Sequence, residues 1–491
     1  MKKLCYKTLE DSEYSEFLLK NAPEKVLQFG EGNFLRAFVD YFIDVMNEKA
    51  DFNGKAVLVQ PIANGLTDVI NEQEGLYTLL LRGRENGKKT EYKRVISSVS
   101  RCVDPYADYG AFLKNAENPE LRFIVSNTTE AGIAFDPECK ADDAPPSSFP
   151  AKLTAFLYER WKKGLKGFII LSCELIDHNG DCLKKCVEQY IELWELPDEF
   201  RAWAASENVF CSTLVDRIVT GYPRAEAQEL CERFDYDDKL IDTGEVFGFW
   251  VIEGPQSIKD EFPFEKANLP IIVTDDHTPY KQRKVRILNG AHTSMVLGAY
   301  LAGKSIVREC MEDDVICGFM KKAIYEEVIP TLDLPKNELL DFAAAVEDRF
   351  NNPYVDHQLL SISLNSTSKW KARVMPSLTE YFKRNGKLPV CLTFSFAAYL
   401  AFYHNAKEMG VGCLVGSRNG ECYEVKDDKN VLDFYYAHRN DTASELVRAA
   451  LKTDFFGSEL CELPNFAEEA IKYLELIEKA GAYAAFEECI K

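Results

Sequence analysis

"VLQFGEGNFLRAF", residues 26–38, decides the fold. A short apolar run ends in Gly30 and Gly32 and passes straight into a helical pattern. Such a strand, glycine turn and helix open a doubly wound parallel sheet. The glycines allow a tight turn and close approach of a pyrophosphate to a helix amino terminus. The third glycine of the usual fingerprint is missing, with Leu35 in its place. A plain strand–turn–helix is therefore the alternative reading.

Outward from this stretch, apolar runs at 25–30, 56–62, 121–132 and 166–180 alternate with helical patterns. The helices are expected at 33–48, 106–117, 149–163 and 181–195. Asn86-Gly87 sits between two strand-like runs and suits a hairpin with a primed turn. The alternation predicts an α/β, Rossmann-type doubly wound sheet. From Asp276 long helical periods take over, at 285–303, 311–328, 336–349, 388–404 and 466–480. Asn465 and Glu468 read as the cap of the last, and Gly481 as its stop. The expectation is a dinucleotide-binding domain over 1–275 and a mostly α-helical substrate domain over 276–491.

The 491 residues carry a formal net charge of -21, which argues against a nucleic-acid or anionic-membrane partner. An anionic ligand must be met by local cations, and Lys281, Arg283, Lys284 and Arg286 are the densest group. Fifteen cysteines are scattered without a CxxC, Cys182 and Cys186 being the nearest pair. They read as reduced thiols, not as a zinc or disulfide framework, so no metal is expected. The opening segment has charge but no apolar h-region, and no run approaches the roughly 18 residues of a membrane span. A soluble cytoplasmic protein, monomeric or a small homo-oligomer, is expected.

The glycine loop nominates Phe29, Gly30, Gly32, Asn33 and Phe34 as cofactor contacts, with Arg36 adding charge near the phosphates. The second strand ends in Gln60, with neither an acid for a ribose hydroxyl nor an arginine for a 2′-phosphate. NAD is favoured, and NADP stays open. "SNTTE" (126–130) and "SCELIDHNG" (172–180) are polar strand ends, where ligands of such sheets bind. Asn127, Thr128 and Glu130 are candidates there, with helix capping as the alternative.

"KVRILNGAHT", residues 284–293, sets Lys284, Asn289 and His292 in one helical period. On an α-helical wheel His292 lies about 80° and Asn289 about 140° round from Lys284. A lysine whose pKa is lowered by burial and by neighbouring cations is a proton donor and acceptor for carbonyl chemistry. Asn289 can donate to a developing alkoxide, and His292 can hold a hydroxyl. A solvated basic helix start with a satisfied histidine is the alternative.

These residues also carry a resemblance. "FGEGNFLRAF", "SNTTEAG" and "KVRILNGAHT" resemble the polyol-specific long-chain dehydrogenases, the mannitol dehydrogenase family. Its signature is a lysine, four residues, an asparagine, two residues and a histidine, which Lys284, Asn289 and His292 match. The resemblance runs from about residue 24 into the C-terminal third. It implies a zinc-independent NAD(P) oxidoreductase with Lys284 as acid/base. "DRIVTGYPR", "FWVIEGP" and "NPYVDHQLLSISLNSTSKWKARVMPSL" are most similar to its hexuronate-reducing members, which implies a hexuronate/aldonate pair as substrate. Where polyol-oxidising members tend to carry an Asp-Asn pair, this chain has Glu174-Leu175. The second oxyanion donor is thus open, with Asn179 as a candidate. A hexuronate needs a cation for its carboxylate, and Lys369, Lys371 and Arg373 are candidates. His357 and Asn365 are candidates for sugar hydroxyls. Siblings acting on other hexuronates or neutral polyols are the alternatives, and a non-catalytic dinucleotide sensor is a remoter one.

Overall fold

The computed structural model describes residues 1–129 and 131–491. Glu130, one of the expected cofactor contacts, lies outside the described residues. The chain forms two compact units, 1–82 with 90–277, and 83–89 with 278–491.

The first unit contains β1 (Glu24–Phe29), β2 (Lys55–Val59), most of β3 (Tyr77–Glu85) and β4 (Lys88–Ile96), whose hairpin tip belongs to the second, β5 (Val99–Val103) and β6 (Phe123–Ser126). It continues with β7 (Ile169–Ser172), β8 (Val209–Asp216), β9 (Asp242–Glu245), β10 (Phe249–Glu253) and β11 (Ile271–Thr274). Among the described residues, eight strands form one sheet in the order β11–β10–β8–β7–β6–β1–β2–β5. Neighbours from β5 to β8 are parallel, β10 is antiparallel to β8, and β11 is parallel to β10. The run β5–β2–β1–β6–β7–β8 is the 3-2-1-4-5-6 order of a dinucleotide-binding sheet. Its switch point lies between β1 and β6, just past the glycine loop.

Strand β1 shows why its sequence is nearly all apolar. Val26 faces a cluster with Leu35, Phe38, Phe42 and Trp250, while Leu27 and Phe29 face Phe112, Phe149 and Leu183. A parallel sheet covered on both faces demands this. The helical pattern after the loop is Asn33–Leu35, a π turn at Arg36–Asp40, then Tyr41–Ala50. At the hairpin, Asn86 and Gly87 both have positive φ, 53° and 75°, as a primed turn requires. Strands β8 to β11 are additions to the sequence reading. The expected strands 121–132 and 166–180 shorten to β6 and β7, because their polar ends turn out into loops.

The second unit is mostly helical. Its centre is the helix Val390–His404, in which every residue from Cys391 to Tyr403 is buried. A helix apolar all round belongs in a core. The unit also holds an antiparallel sheet, β12 (Ala406–Met409), β13 (Leu414–Arg418) and β14 (Glu421–Val425), absent from the sequence expectation. The helix Phe466–Ala480 ends at Gly481 as expected, but its capping box does not form. Asn465 sits at φ 62° without a side-chain cap, and Glu468 pairs instead with Arg448 at 3.2 Å. No helix among the described residues is long and apolar enough to cross a membrane.

Candidate active site

In the first unit the loop is shaped by Gly30, whose φ of +126° excludes other residues without strain. A Cβ there would lie 3.1 Å from Leu35 Cδ1 and 3.4 Å from the Asn127 carbonyl. A Cβ at Gly32 would meet nothing within 4 Å, so the backbone before the helix is open to an approaching group. The two glycines thus fit a dinucleotide in different ways: one makes the turn, and the other keeps it bare.

Several predicted cofactor contacts are internal. The Phe29 side chain is in the core, so only its backbone is left for a ligand. Arg36 does not reach toward phosphates. Its guanidinium is buried and donates to the Glu31 carbonyl, the Leu240 carbonyl and Asn33 Oδ1. It is a buttress that fixes the loop from behind. Gln60 donates to the Ile62 carbonyl and accepts from Thr67, so both ends of its amide are engaged in the fold. Asn33 is exposed, and Phe34 is half-buried and stacked on Phe38. Gly221, which the sequence reading missed, has a φ of +79° and allows close packing against Asn33.

Across the switch point, Asn127 donates to the Cys173 carbonyl at 3.0 Å. Glu174 is buried and brackets the turn, accepting from the Thr128 N–H, the Thr128 hydroxyl and the Ser126 hydroxyl. Burial pushes its carboxyl pKa up, against the pull of those donors. Glu174 is therefore a loop clamp. Asn179 is no substrate contact either. Its amide nitrogen donates to the Glu174 and Thr213 carbonyls, and its oxygen accepts from the Gly180 and Thr213 N–H groups. All four of its hydrogen-bonding positions are used at the start of the helix Asn179–Leu193.

In the second unit the opening helical period is not a plain α-helix. Thr278–Arg283 leads into a π turn at Lys284–Asn289, then Gly290–Leu301. The i→i+5 pattern of a π turn brings the fifth residue on round over the first. The 140° that an α-helical wheel gives between Lys284 and Asn289 therefore does not apply across this turn. Gly290 follows because the carbonyl of Arg373 approaches closely; a Cβ there would lie 3.1 Å from it.

His292 lies among aromatic and basic side chains of the second unit. Its ring lies on Phe350, centroids 4.0 Å apart and 10° from parallel, and meets His357 edge-on at 5.3 Å. Burial holds its pKa well below the ordinary imidazole range, and His357, Arg349 and Arg373 push the same way. Nε2 of His292 is buried and makes no hydrogen bond among the described residues.

The helix Ser366–Arg373 brings Arg373 to this place and Lys369 beside Arg373. Lys369 Nζ donates to the Ile362 carbonyl at 3.0 Å, and burial lowers its pKa, helped by Arg373. Lys371 turns elsewhere, toward the Asp454 carbonyl. Asn365 is exposed at φ 53° and starts the helix without a side-chain cap. Asp427 holds that start, accepting from the Thr367 N–H and hydroxyl. Arg349 and Phe350, at the end of the helix Lys336–Phe350, were missed. The expected cation cluster also divides: Arg283 packs on the rings of Tyr280 and Phe342, and Arg286 donates to the Thr331 carbonyl.

Two family models match the chain, the mannitol dehydrogenase Rossmann domain over 24–266 and the mannitol dehydrogenase C-terminal domain over 276–478. The chain belongs to the mannitol dehydrogenase family. This member is 47% identical over 475 residues to an altronate oxidoreductase of Enterobacter sp. (strain 638), covering 94% of this chain and 96% of the relative. It is 48% identical over 471 residues to an altronate oxidoreductase of Escherichia coli O7:K1 (strain IAI39 / ExPEC), covering 94% and 95%. Two solved structures share its fold. Substrate-free D-sorbitol dehydrogenase matches with a TM-score of 0.78 and 24% identity, over 95% of each chain. Pseudomonas fluorescens mannitol 2-dehydrogenase, in a ternary complex with NAD and D-mannitol, matches at 0.68 and 21%, over 99% of each. This family member is an oxidoreductase acting on a CH–OH group, and its Rossmann-type unit takes a nicotinamide dinucleotide.

Proposed function

We propose that the protein interconverts D-tagaturonate and D-altronate, with NAD(H) as the hydride carrier. The observation that supports this most is the close packing of Arg373 on Gly290, two residues before His292, with the Arg373 charge acting on His292, in the unit that also carries Lys284 and Asn289. A hexuronate carboxylate gives the Arg373 guanidinium a partner of opposite charge that a neutral polyol lacks. The 47% and 48% identities to altronate oxidoreductases support the same reading.

Ketone reduction needs a proton at the carbonyl oxygen as hydride reaches the carbon, and the nicotinamide supplies that hydride when bound. Lys284 gives the proton in reduction and takes it back in oxidation. Asn289, on the same π turn as Lys284, donates a hydrogen bond to the same oxygen as charge develops. His292 stays neutral, because burial and three nearby basic groups oppose imidazolium. It therefore orients a substrate hydroxyl through Nε2 and leaves proton transfer to the lysine. Arg373 receives the carboxylate, and His357 lies close enough to His292 to share in hydroxyl recognition.

The test is NADH oxidation by purified protein with tagaturonate, fructuronate and fructose in parallel, with Lys284→Ala as control. Tagaturonate turnover that is lost in the variant is the expected result. Fructose as best substrate would overturn the carboxylate reading; fructuronate as best would move the protein to a sibling activity. No turnover of any of the three would favour a dinucleotide-binding sensor.

A further inference from the structure

The end of β2, where such a sheet usually holds an adenosine ribose, carries Gln60 and no acid. The fold brings an acid there from another place. Glu31 lies inside the glycine loop, and its carboxylate reaches the segment that follows β2. A Cβ added at Gly65 would overlap both Glu31 Oε1 and Gln60 Oε1, so the two oxygens converge beside an exposed glycine. Glu31 is 7% exposed, and its carboxylate faces the N–H groups of Leu66 and of Glu31 itself. Asp104, just past the end of β5, is close enough to act on it electrostatically. Strands β5, β2 and β1 are neighbours in that order, so both acids stand at the ribose end of the crevice.

We propose that Glu31, seconded by Asp104, is the residue that selects a dinucleotide with a free ribose 2′-hydroxyl and rejects one carrying a 2′-phosphate. A hydroxyl can donate to a carboxylate at this end of β2. A phosphate brings only acceptors and more negative charge, so it faces repulsion with no donor to satisfy it. Arg36 acts favourably on the Glu31 carboxylate, but its guanidinium N–H groups donate to the Glu31 and Leu240 carbonyls and to Asn33, so these bonds are not offered to a 2′-phosphate. Selection by a loop glutamate explains how a site without an acid on β2 can still prefer NAD. The proposal rests on the nicotinamide-dinucleotide reading and is independent of which sugar acid is reduced.

Calorimetric titration of the full-length, cofactor-free protein with NADH and with NADPH tests it, without any substrate present. Wild type is expected to bind NADH about 100-fold tighter or more, the scale of one strong like-charge clash. Glu31→Gln is expected to narrow that ratio about tenfold, mainly by tightening NADPH, and Asp104→Asn to narrow it less. A glutamate that only braces the loop would weaken both ligands alike, and an unchanged ratio in the variants would overturn the assignment. So would a wild type that binds NADPH as tightly as NADH. Should Glu31→Gln fail to fold, the Asp104→Asn ratio decides alone. Binding of neither dinucleotide would overturn the cofactor reading itself, and this assignment with it.

Discussion

The imidazole of His292 lies flat on the ring of Phe350, 4.0 Å between centroids and 10° from parallel. The stack removes water from one face of the imidazole while Arg349 and Arg373 oppose its protonation. Phe350→Leu uncovers that face. The prediction is that His292 then titrates nearer the ordinary imidazole value of about 6.5. The variant should lose kcat/KM as pH falls through that region, where wild type keeps it. Imidazole nitrogen shifts in labelled protein would report the ionisation directly, and an unchanged pH profile would refute the argument. The linkage has a definite sign: a histidine with a depressed folded pKa costs stability as pH falls below its unfolded value, because the unfolded chain takes up the proton first.

Gly30 and Gly32 make opposite predictions although they are two residues apart. Gly30→Ala places a side chain at φ +126° and within 3.1 Å of Leu35, so it should cost about 1–3 kcal/mol of stability. Gly32→Ala meets no protein atom within 4 Å and should melt like wild type. It should nonetheless weaken NADH binding, because the added methyl occupies backbone that a pyrophosphate needs bare. Thermal melts and NADH titrations of the two variants separate the roles. Equal melting losses would remove the distinction.

What was legible followed from local chemistry. The glycine loop and the Asn86-Gly87 hairpin each act over a few residues. Even the small sheet of the second unit had its sign: Asn419-Gly420 repeats the hairpin dipeptide, with positive φ at both positions, between two alternating strands. Flanking helices hid it. The rest depends on distance in the fold. Arg349 and Phe350 end a helix far along the chain from His292, and nothing local marks them as its neighbours. Arg36 and Asn179 carry polar groups suited to a ligand, yet buried backbone carbonyls and N–H groups claim them first, as burial requires. The π turn changed a helical-wheel angle that no propensity would have flagged.

Glu174 gives a prediction about the loop across the switch point. Its carboxylate accepts from one N–H and two hydroxyls, at 3.0 to 3.1 Å. Glu174→Gln keeps the shape but turns an NH2 toward groups that are themselves donors. The expected cost is about 1–3 kcal/mol, seen as a lower urea midpoint, because a buried donor loses its acceptor. NADH affinity should fall as well, since Thr128 stands beside the loop at the sheet's switch point. A variant that unfolds at the wild-type midpoint would show the clamp to be idle.

Arg373 and Lys371 are two cations on one short helix that point to different places. Arg373 acts on the His292 ring, while Lys371 reaches the Asp454 carbonyl at 3.4 Å. If Arg373 receives a carboxylate, Arg373→Leu removes a charge-assisted pair worth about 1.5–3 kcal/mol, or roughly 10- to 100-fold in kcat/KM. The loss should fall on KM for tagaturonate, because the group binds the ground state and the transition state alike. Slow turnover of fructose, which has no carboxylate, should be spared by Arg373→Leu. Lys371→Ala should change neither substrate. Arg373→Lys should recover little, since an ammonium cannot make the planar two-bond grip of a guanidinium. Equal losses on tagaturonate and fructose would mean that Arg373 shapes the helix and the His292 environment without touching the carboxylate.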